Sequence, residues 1–400
     1  MSRPVFVQAS SCKTGLVNGS AVGSEIGSVT GPVSGSKAKA ALVTKSDKVI
    51  PGYPLVQAVL EVAIPRGANK HKILRGTGIF DETFSTPQHT GSDQVSVGGG
   101  GLLANTSAKL SAKQCIALLS NVSSQCKGND VSFLIGKSLG GVWLTENLEK
   151  IKHCRNLEHA MSVLMNIRWE CFPLVSFKRF DVKDNVLWVL QDTMGCQKNW
   201  PFIAQLYLSM LVALIKYWTD TRLPISFGMD FDRPRNVEDF ETYLGLRTTF
   251  NAPLLSIMLP KSCMATPFPN ANCEHAQPVV DSPAKYTARE VKQARYSASC
   301  FSLLDFVRSQ TLREPQRGLA DLAESLCCST ATLKRKLSDH HYSYRALSEE
   351  ARRQQAIVLL ALKKLNNEQS ASEMAFSDLT NFRRAVKRLT GLTPSELRAR

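Results

Sequence analysis

The sequence predicts an α+β N-terminal sensor or dimerisation domain, then an all-α C-terminal domain with two helix-turn-helix units joined by a long helix. Three patterns lead to this. Alternating apolar runs at 174–180 and 186–191 read as paired strands among helical segments. The last hundred residues keep helical spacing throughout. Within them, a short helix, a tight turn and a basic helix occur twice, at Leu319–Leu337 and Ser370–Arg398.

Residues 1–50 are rich in Ser, Gly, Ala, Val and Lys without a period, and are expected to be a disordered tail. Residues 51–260 form the expected effector-binding or dimerisation domain. It opens with a helix at 54–67 (Leu55, Val59 and Ala63 inward) and has a Gly-rich flexible loop at 87–107. A helix follows, with Leu110, Cys115, Leu118 and Val122 near one face. Residues 136–142, GKSLGGV, read as a turn-rich segment. Residues 145–167 read as one or two helices with Leu148, Ile151, Ala160, Leu164 and Ile167 inward. The run from Pro201 to Trp218 approaches the length of a membrane span, but Gln205, Ser209 and Lys216 interrupt it, so a buried core helix is expected and no membrane partner. Further strands are expected at 224–231 and 254–259, and a linker over 261–295.

The C-terminal domain, 296–400, begins with a helix from Phe301 to Ser309, with Phe301, Leu304 and Phe306 available for packing. Between the two units a helix from Tyr344 to Leu362 places Leu347, Ala351, Gln355, Val358 and Leu362 inward. Nineteen residues at α-helical rise span roughly 28 Å, near the ~34 Å of one DNA turn. A stiff spacer of that length is suited to holding two reading heads near successive grooves.

The net charge is +15 and the pI about 9.4, which favours a polyanionic partner. The excess is spread along the chain, so charge does not locate a site. Eleven cysteines lack paired spacing and no secretory signal is evident, so reduced thiols in a cytoplasm are expected. Cys263, Cys273 and His275 cluster in sequence but fit no zinc pattern, so neither a metal nor a cofactor is expected. No G-x-S-x-G, P-loop or H-E-x-x-H occurs, and no catalytic residues are assigned. Trp143, Trp169, Trp188 and Phe202 suit a packed core or a pocket wall.

In the first unit Ser329 stands at an N-cap position and Leu333 and Leu337 point inward, so Ser329, Thr330, Ala331, Thr332, Lys334 and Arg335 are the expected DNA-facing residues. In the second, Ser377 or Asp378 caps. Leu379, Phe382, Val386 and Leu389 form the inward stripe, and Thr380, Asn381, Arg383, Arg384, Lys387 and Arg388 face DNA. Arg and Lys match guanine edges, Asn matches adenine, and all can meet phosphates. Gly391 is the expected helix stop and Pro394 the start of a last turn.

The run from Phe376 to Arg398, FSDLTNFRRAVKRLTGLTPSELR, resembles the AraC/XylS family of bacterial transcription regulators. Leu319–Leu337 and Arg352-Arg353 support it, and the resemblance spans about 300–398. HKILRGTGI (71–79), GGVWLTENLEKIKHCRNL (140–157) and the LPISFGMDFDRP run starting at Leu223 resemble, more loosely, the arabinose-binding-type N-terminal domain of one branch of that family. The resemblance implies double-stranded promoter DNA as a partner, activation through RNA polymerase, a small-molecule effector and a homodimer. Three departures stand out. Ala375 and Cys327 occupy turn positions where the family usually has Gly, and such turns favour positive φ. Asn367 and Ser370 stand where it usually has large aliphatics. The Gly98–Gly101 segment is similar to an insertion. These departures motivate an alternative, a partner-binding regulator whose second DNA-reading unit is weakened.

Overall fold

The computed structural model describes residues 42–80, 108–151, 154–269 and 301–399, with side chains beyond Asn147 omitted to residue 151. The 87–107 loop, Cys273, His275 and the linker from 270 on lie outside the described residues, as do residues 1–41 of the expected tail. Order begins before residue 51. Strand β1 (Lys48–Pro51) pairs antiparallel with β2 (Lys109–Ser111), and Val43 bridges to Ser302. The tail composition hid this because the pairing partners lie far away in sequence.

Helix α1 (Gly52–Ala63) buries Leu55, Val59 and Ala63, as its spacing predicts. The short α2 (Lys70–Leu74) follows. In α3 (Ala112–Gln125) a capping box between Ser111 and Gln114 sets the start, and Cys115, Leu118 and Val122 face inward. The expected turn at 136–142 is instead the middle of a continuous helix, α4 (Val131–Ile151). The glycines there are contact residues. A Cβ on Gly136 would sit 2.0 Å from the Leu206 carbonyl oxygen, and one on Gly140 3.3 Å from the Ala213 Cβ. They let α4 lie against α7 (Trp200–Thr219) at backbone distance.

Between these helices run α5 (Leu157–Asn166), α6 (Arg168–Cys171), and strands β3 (Val175–Val182) and β4 (Asn185–Asp192). Ala160 and Leu164 are buried, Ile167 is half-buried, and Leu148 and Ile151 fall where side chains are not described. Helix α7 is long and apolar enough to cross a membrane, yet most of its apolar residues are buried within the protein. The chain continues through β5 (Ser226–Gly228), α8 (Val237–Tyr243), β6 (Thr248–Thr249), β7 (Ser256–Pro260) and α9 (Lys261–Ala265). The sheet order is β3-β4-β7-β5-β6, antiparallel except for the β5–β6 pair. Residues 261–269 are therefore not linker: Met264 and Phe268 are buried, and Phe268 stacks on Trp218. Trp143, Trp169 and Trp188 are core residues, and Phe202 packs half-buried against them.

Strand β4 is buried on both faces. Val186, Trp188 and Leu190 join the main core under α7, while Leu187 and Val189 form a second cluster with Val182, which Leu362 from the C-terminal half packs against. The alternation expected at 186–191 is therefore corrected: VLWVL is a continuous apolar run because both faces are covered. All described residues belong to one unit, Ala40–Arg400, so the helical half is docked on the sheet.

The helical half comprises α10 (Leu303–Arg313), α11 (Leu319–Ser325), α12 (Thr330–Asp339), α13 (Tyr344–Ile357), a π-helical turn at Val358–Leu362, α14 (Asn367–Glu373), α15 (Leu379–Thr390) and α16 (Pro394–Ala399). In α10, Leu303, Leu304 and Val307 are buried, whereas Phe301, expected inside, is exposed. The spacer is continuous from Tyr344 to Leu362, but its last turn is wound wider, with Lys363 N–H donating to the Val358 carbonyl. Before that turn, the 3.6-residue period puts position i+7 from Leu347, not i+8, on the buried side. Gln354 is buried in place of the expected Gln355, and Leu362 is only half-buried.

Candidate nucleic-acid interface

Each helix-turn-helix unit has its own core, and the spacer joins them. Leu304, Val307, Leu322, Leu333, Leu337 and Leu347 close the first, while Ile357, Leu360, Met374, Phe382, Val386 and Leu397 close the second. Helix α13 packs against α10 near one end and against α15 near the other.

Both turns have the same geometry. In the first, Cys328 N–H donates to Ala323 O at 3.0 Å and Cys327 N–H to Glu324 O at 2.9 Å, with Cys327 at φ 50°. In the second, Phe376 N–H donates to Ala371 O at 2.8 Å and Ala375 N–H to Ser372 O at 3.0 Å, with Ala375 at φ 55°. These are Schellman turns whose left-handed residue is not glycine. Each costs roughly 1 kcal/mol relative to glycine, once the greater freedom glycine loses on folding is subtracted. Ala375→Gly is therefore expected to raise the stability of the second unit by about 0.5–1 kcal/mol without moving the helices. Urea unfolding checks it, and a lower midpoint for the variant would contradict the strained turn.

After each turn a cap starts the basic helix. The Ser329 hydroxyl accepts from Thr332 N–H at 3.1 Å. The Asp378 carboxylate accepts from Asn381 N–H at 2.8 Å and Thr380 N–H at 3.2 Å, and these two bonds hold its carboxyl below the usual range. Inside, Leu333, Leu337, Phe382 and Val386 are buried, while Leu379 and Leu389 are half-buried. Outside, Ser329, Thr330, Ala331, Lys334 and Arg335 of the first unit are exposed, and Thr332 is half-buried with its hydroxyl 2.9 Å from that of Ser329. Thr380, Asn381, Arg383, Arg384, Lys387 and Arg388 of the second are all exposed. Gly391 ends α15 at φ 76°, and Pro394 begins α16.

Residues 322–400 match the family described as a helix-turn-helix domain. They form a helix-turn-helix domain. Two uncharacterised HTH-type transcriptional regulators, from Mycobacterium bovis and Mycobacterium tuberculosis, are each 35% identical to the chain over 94 residues, 22% of this chain and 27% of theirs. The chain thus spans about a quarter of the length of these relatives. Among solved structures, the transcriptional regulator CdpR from Pseudomonas aeruginosa aligns at 19% identity over 68% of this chain and 88% of its own, with TM-score 0.30. A DNA-binding transcriptional dual regulator from Escherichia coli K-12 aligns at 25% identity over 24% and 86%, with TM-score 0.22.

Two departures in the helix-turn-helix domain take physical form. Ser370 is fully buried and its hydroxyl has no partner among the described residues, so it supplies neither the packing of an aliphatic nor a satisfied polar group. Asn367 is not merely a lost aliphatic: its Oδ1 accepts from Arg398 Nη1 at 2.8 Å and ties down α16.

The junction between the sheet and the domain was not legible in the sequence. Arg308, on the inward side of α10, donates to the Asp192 carbonyl at 2.7 Å and to Glu350 Oε1 at 3.1 Å. Gln191 donates to Gln354 at 2.7 Å. His340, just past the first basic helix, accepts Lys45 N–H on Nε2 at 3.0 Å, so Nδ1 carries the proton it donates to Lys336 O at 2.8 Å. Burial holds that imidazole below its ordinary pKa and keeps it neutral. A cation within the apolar stripe Leu304, Val307, Arg308, Thr311 was the one available signal.

Proposed function

We propose that this chain is a sequence-specific DNA-binding transcription regulator that inserts α12 and α15 into successive major grooves. What supports this most is the pairing of two equivalent turns on one continuous spacer, each followed by a capped helix with an exposed basic face. In this reading Ser329, Thr330, Ala331, Thr332, Lys334 and Arg335 serve the first groove, and Thr380, Asn381, Arg383, Arg384, Lys387 and Arg388 the second. The protein acts in the cytoplasm as an activator that contacts RNA polymerase, as a homodimer, under control of an effector held by an arabinose-binding-type N-terminal half. Gel shifts against its own upstream region at two salt concentrations test the DNA reading. Arg384→Ala is expected to weaken binding by roughly tenfold, with a shallower salt dependence if Arg384 meets phosphate. Sequence-independent binding that Arg384→Ala leaves unchanged would sink it.

A second reading is a partner-binding regulator with a weakened second unit, which the orphaned Ser370 hydroxyl and the strained Ala375 favour. Full-length protein that never shifts promoter DNA but co-purifies with another regulator is the result that would select it.

A further inference from the structure

Where the helical half docks on the sheet, an open cleft of about 320 Å³ remains, within the size range of small-molecule sites. Its walls come from both halves: α6 and β3 on one side, α10 and α13 on the other. Three cations line it, Arg168, Lys178 and Arg308. The carboxylates that answer them are Asp305, 3.0 Å from Arg168, and Glu350, 3.1 Å from Arg308. Asp305 is also shared with Ser176, which donates to it at 3.0 Å.

One positive charge is thus left over. Lys178 has no carboxylate within ion-pairing distance among the described residues, and its ammonium lies 5.4 Å from the centre of the Phe180 ring. Burial, with the Arg308 charge adding to it, pulls its pKa down to about 8, as for a cation short of a counter-ion. Nη2 of Arg168 and Nε of Arg308 are buried with no acceptor among the described residues, but atoms this enclosed are closed to a ligand in the cleft, so the unanswered charge open to one is the Lys178 ammonium. The rest of the lining is apolar, with Met165, Phe177 and Leu312.

We propose that this cleft binds a small organic monoanion, with its carboxylate head against Arg168, Lys178 and Arg308 and its apolar body against Met165, Phe177 and Leu312. The inference deepens the regulator reading, on which it rests for its purpose: a ligand there touches sheet and DNA-binding domain at once. Such a ligand biases how the two sit together, and any change it makes in DNA affinity is returned as an equal change in ligand affinity.

The test is calorimetric titration and thermal melting of the full chain without DNA, using hexanoate, phenylacetate, inorganic phosphate and neutral hexanol as probes. At least one of the two carboxylates is expected to bind and raise the melting temperature, while hexanol does not. Lys178→Met is expected to lose that affinity by tenfold or more. Lys178 makes no ion pair among the described residues, so the variant should fold, and Lys178→Gln provides a second check. Lys183→Met, in the β3–β4 turn, should bind like the wild type. The proposal is overturned if neither carboxylate binds, if Lys178→Met and Lys178→Gln bind as well as the wild type, or if phosphate alone binds. Because DNA is absent, failure here leaves the DNA reading standing, and loss of promoter binding by Arg384→Ala stands apart from it.

Discussion

Arg308→Met is expected to destabilise the protein by about 3 kcal/mol, measured by urea unfolding. Removing one partner of a buried ion pair typically costs ~3–5 kcal/mol, because the groups left behind stay dry. Here the lower end applies. Asp305 keeps Arg168 as a partner at 3.0 Å, and Glu350 is 39% exposed and can rehydrate. The Asp192 carbonyl, however, loses the donor that ties β4 to α10, and Asp192 is buried. The loss should therefore show as a loosened junction, with earlier proteolytic cleavage between the sheet and α10. Arg345→Met is the contrast. Arg345 also pairs with a glutamate, Glu349 at 3.1 Å, but its side chain is 83% exposed, so its removal should cost no more than ~0.5 kcal/mol. Equal losses for the two variants would mean that Arg308 is hydrated and the junction is not held by it.

Gly195→Ala should cost roughly 3 kcal/mol, from overpacking and a strained left-handed residue together. The Cβ would fall 1.9 Å from the His340 carbonyl oxygen and 2.7 Å from its carbon, and Gly195 sits at φ 74°. The obstacle is backbone, so no side-chain rotation relieves it. The loop cannot easily retreat either, because the Asp192 carboxylate accepts from the N–H groups of Met194, Gly195 and Cys196 at 2.9, 2.8 and 2.6 Å, and Lys45 Nζ donates to the Gly195 carbonyl. What should yield is the contact with His340, at the end of the first basic helix. Gly141→Ala serves as control, since its Cβ would meet nothing within 4 Å in the middle of α4. That change should be neutral or stabilising by up to ~1 kcal/mol. Thermal melting of both variants decides it, and a Gly195→Ala protein as stable as the wild type would show that the loop does not press on the helical half.

The two variants differ from the helix-turn-helix residues in how they became visible. Ser329 and Asp378 as caps, Gly391 as a stop and Phe382 and Val386 as an inward stripe are short-range patterns, and each lies in the structure where the sequence places it. The positive φ at Cys327 and Ala375 was expected only through the resemblance, which usually has Gly at those turn positions. The glycines at 136–142 misled for the opposite reason. Locally they break a helix, but their use is set by Leu206 and Ala213, which approach from another helix.

Read alone, the amino-acid order determined the two-unit helical half, its spacer, the β3–β4 pair and the buried nature of 201–218, since periodicity and caps act within a few turns of chain. Only the tertiary structure decided that β4 is covered on both faces, that Arg308, Gly195 and His340 join the halves, and that Arg168, Lys178 and Arg308 line one cleft. The contacts that join the halves and line the cleft bring together residues more than a hundred positions apart along the chain. Whether a cation, a glycine or a histidine is structural there depends on what the fold brings against it, which no local pattern encodes.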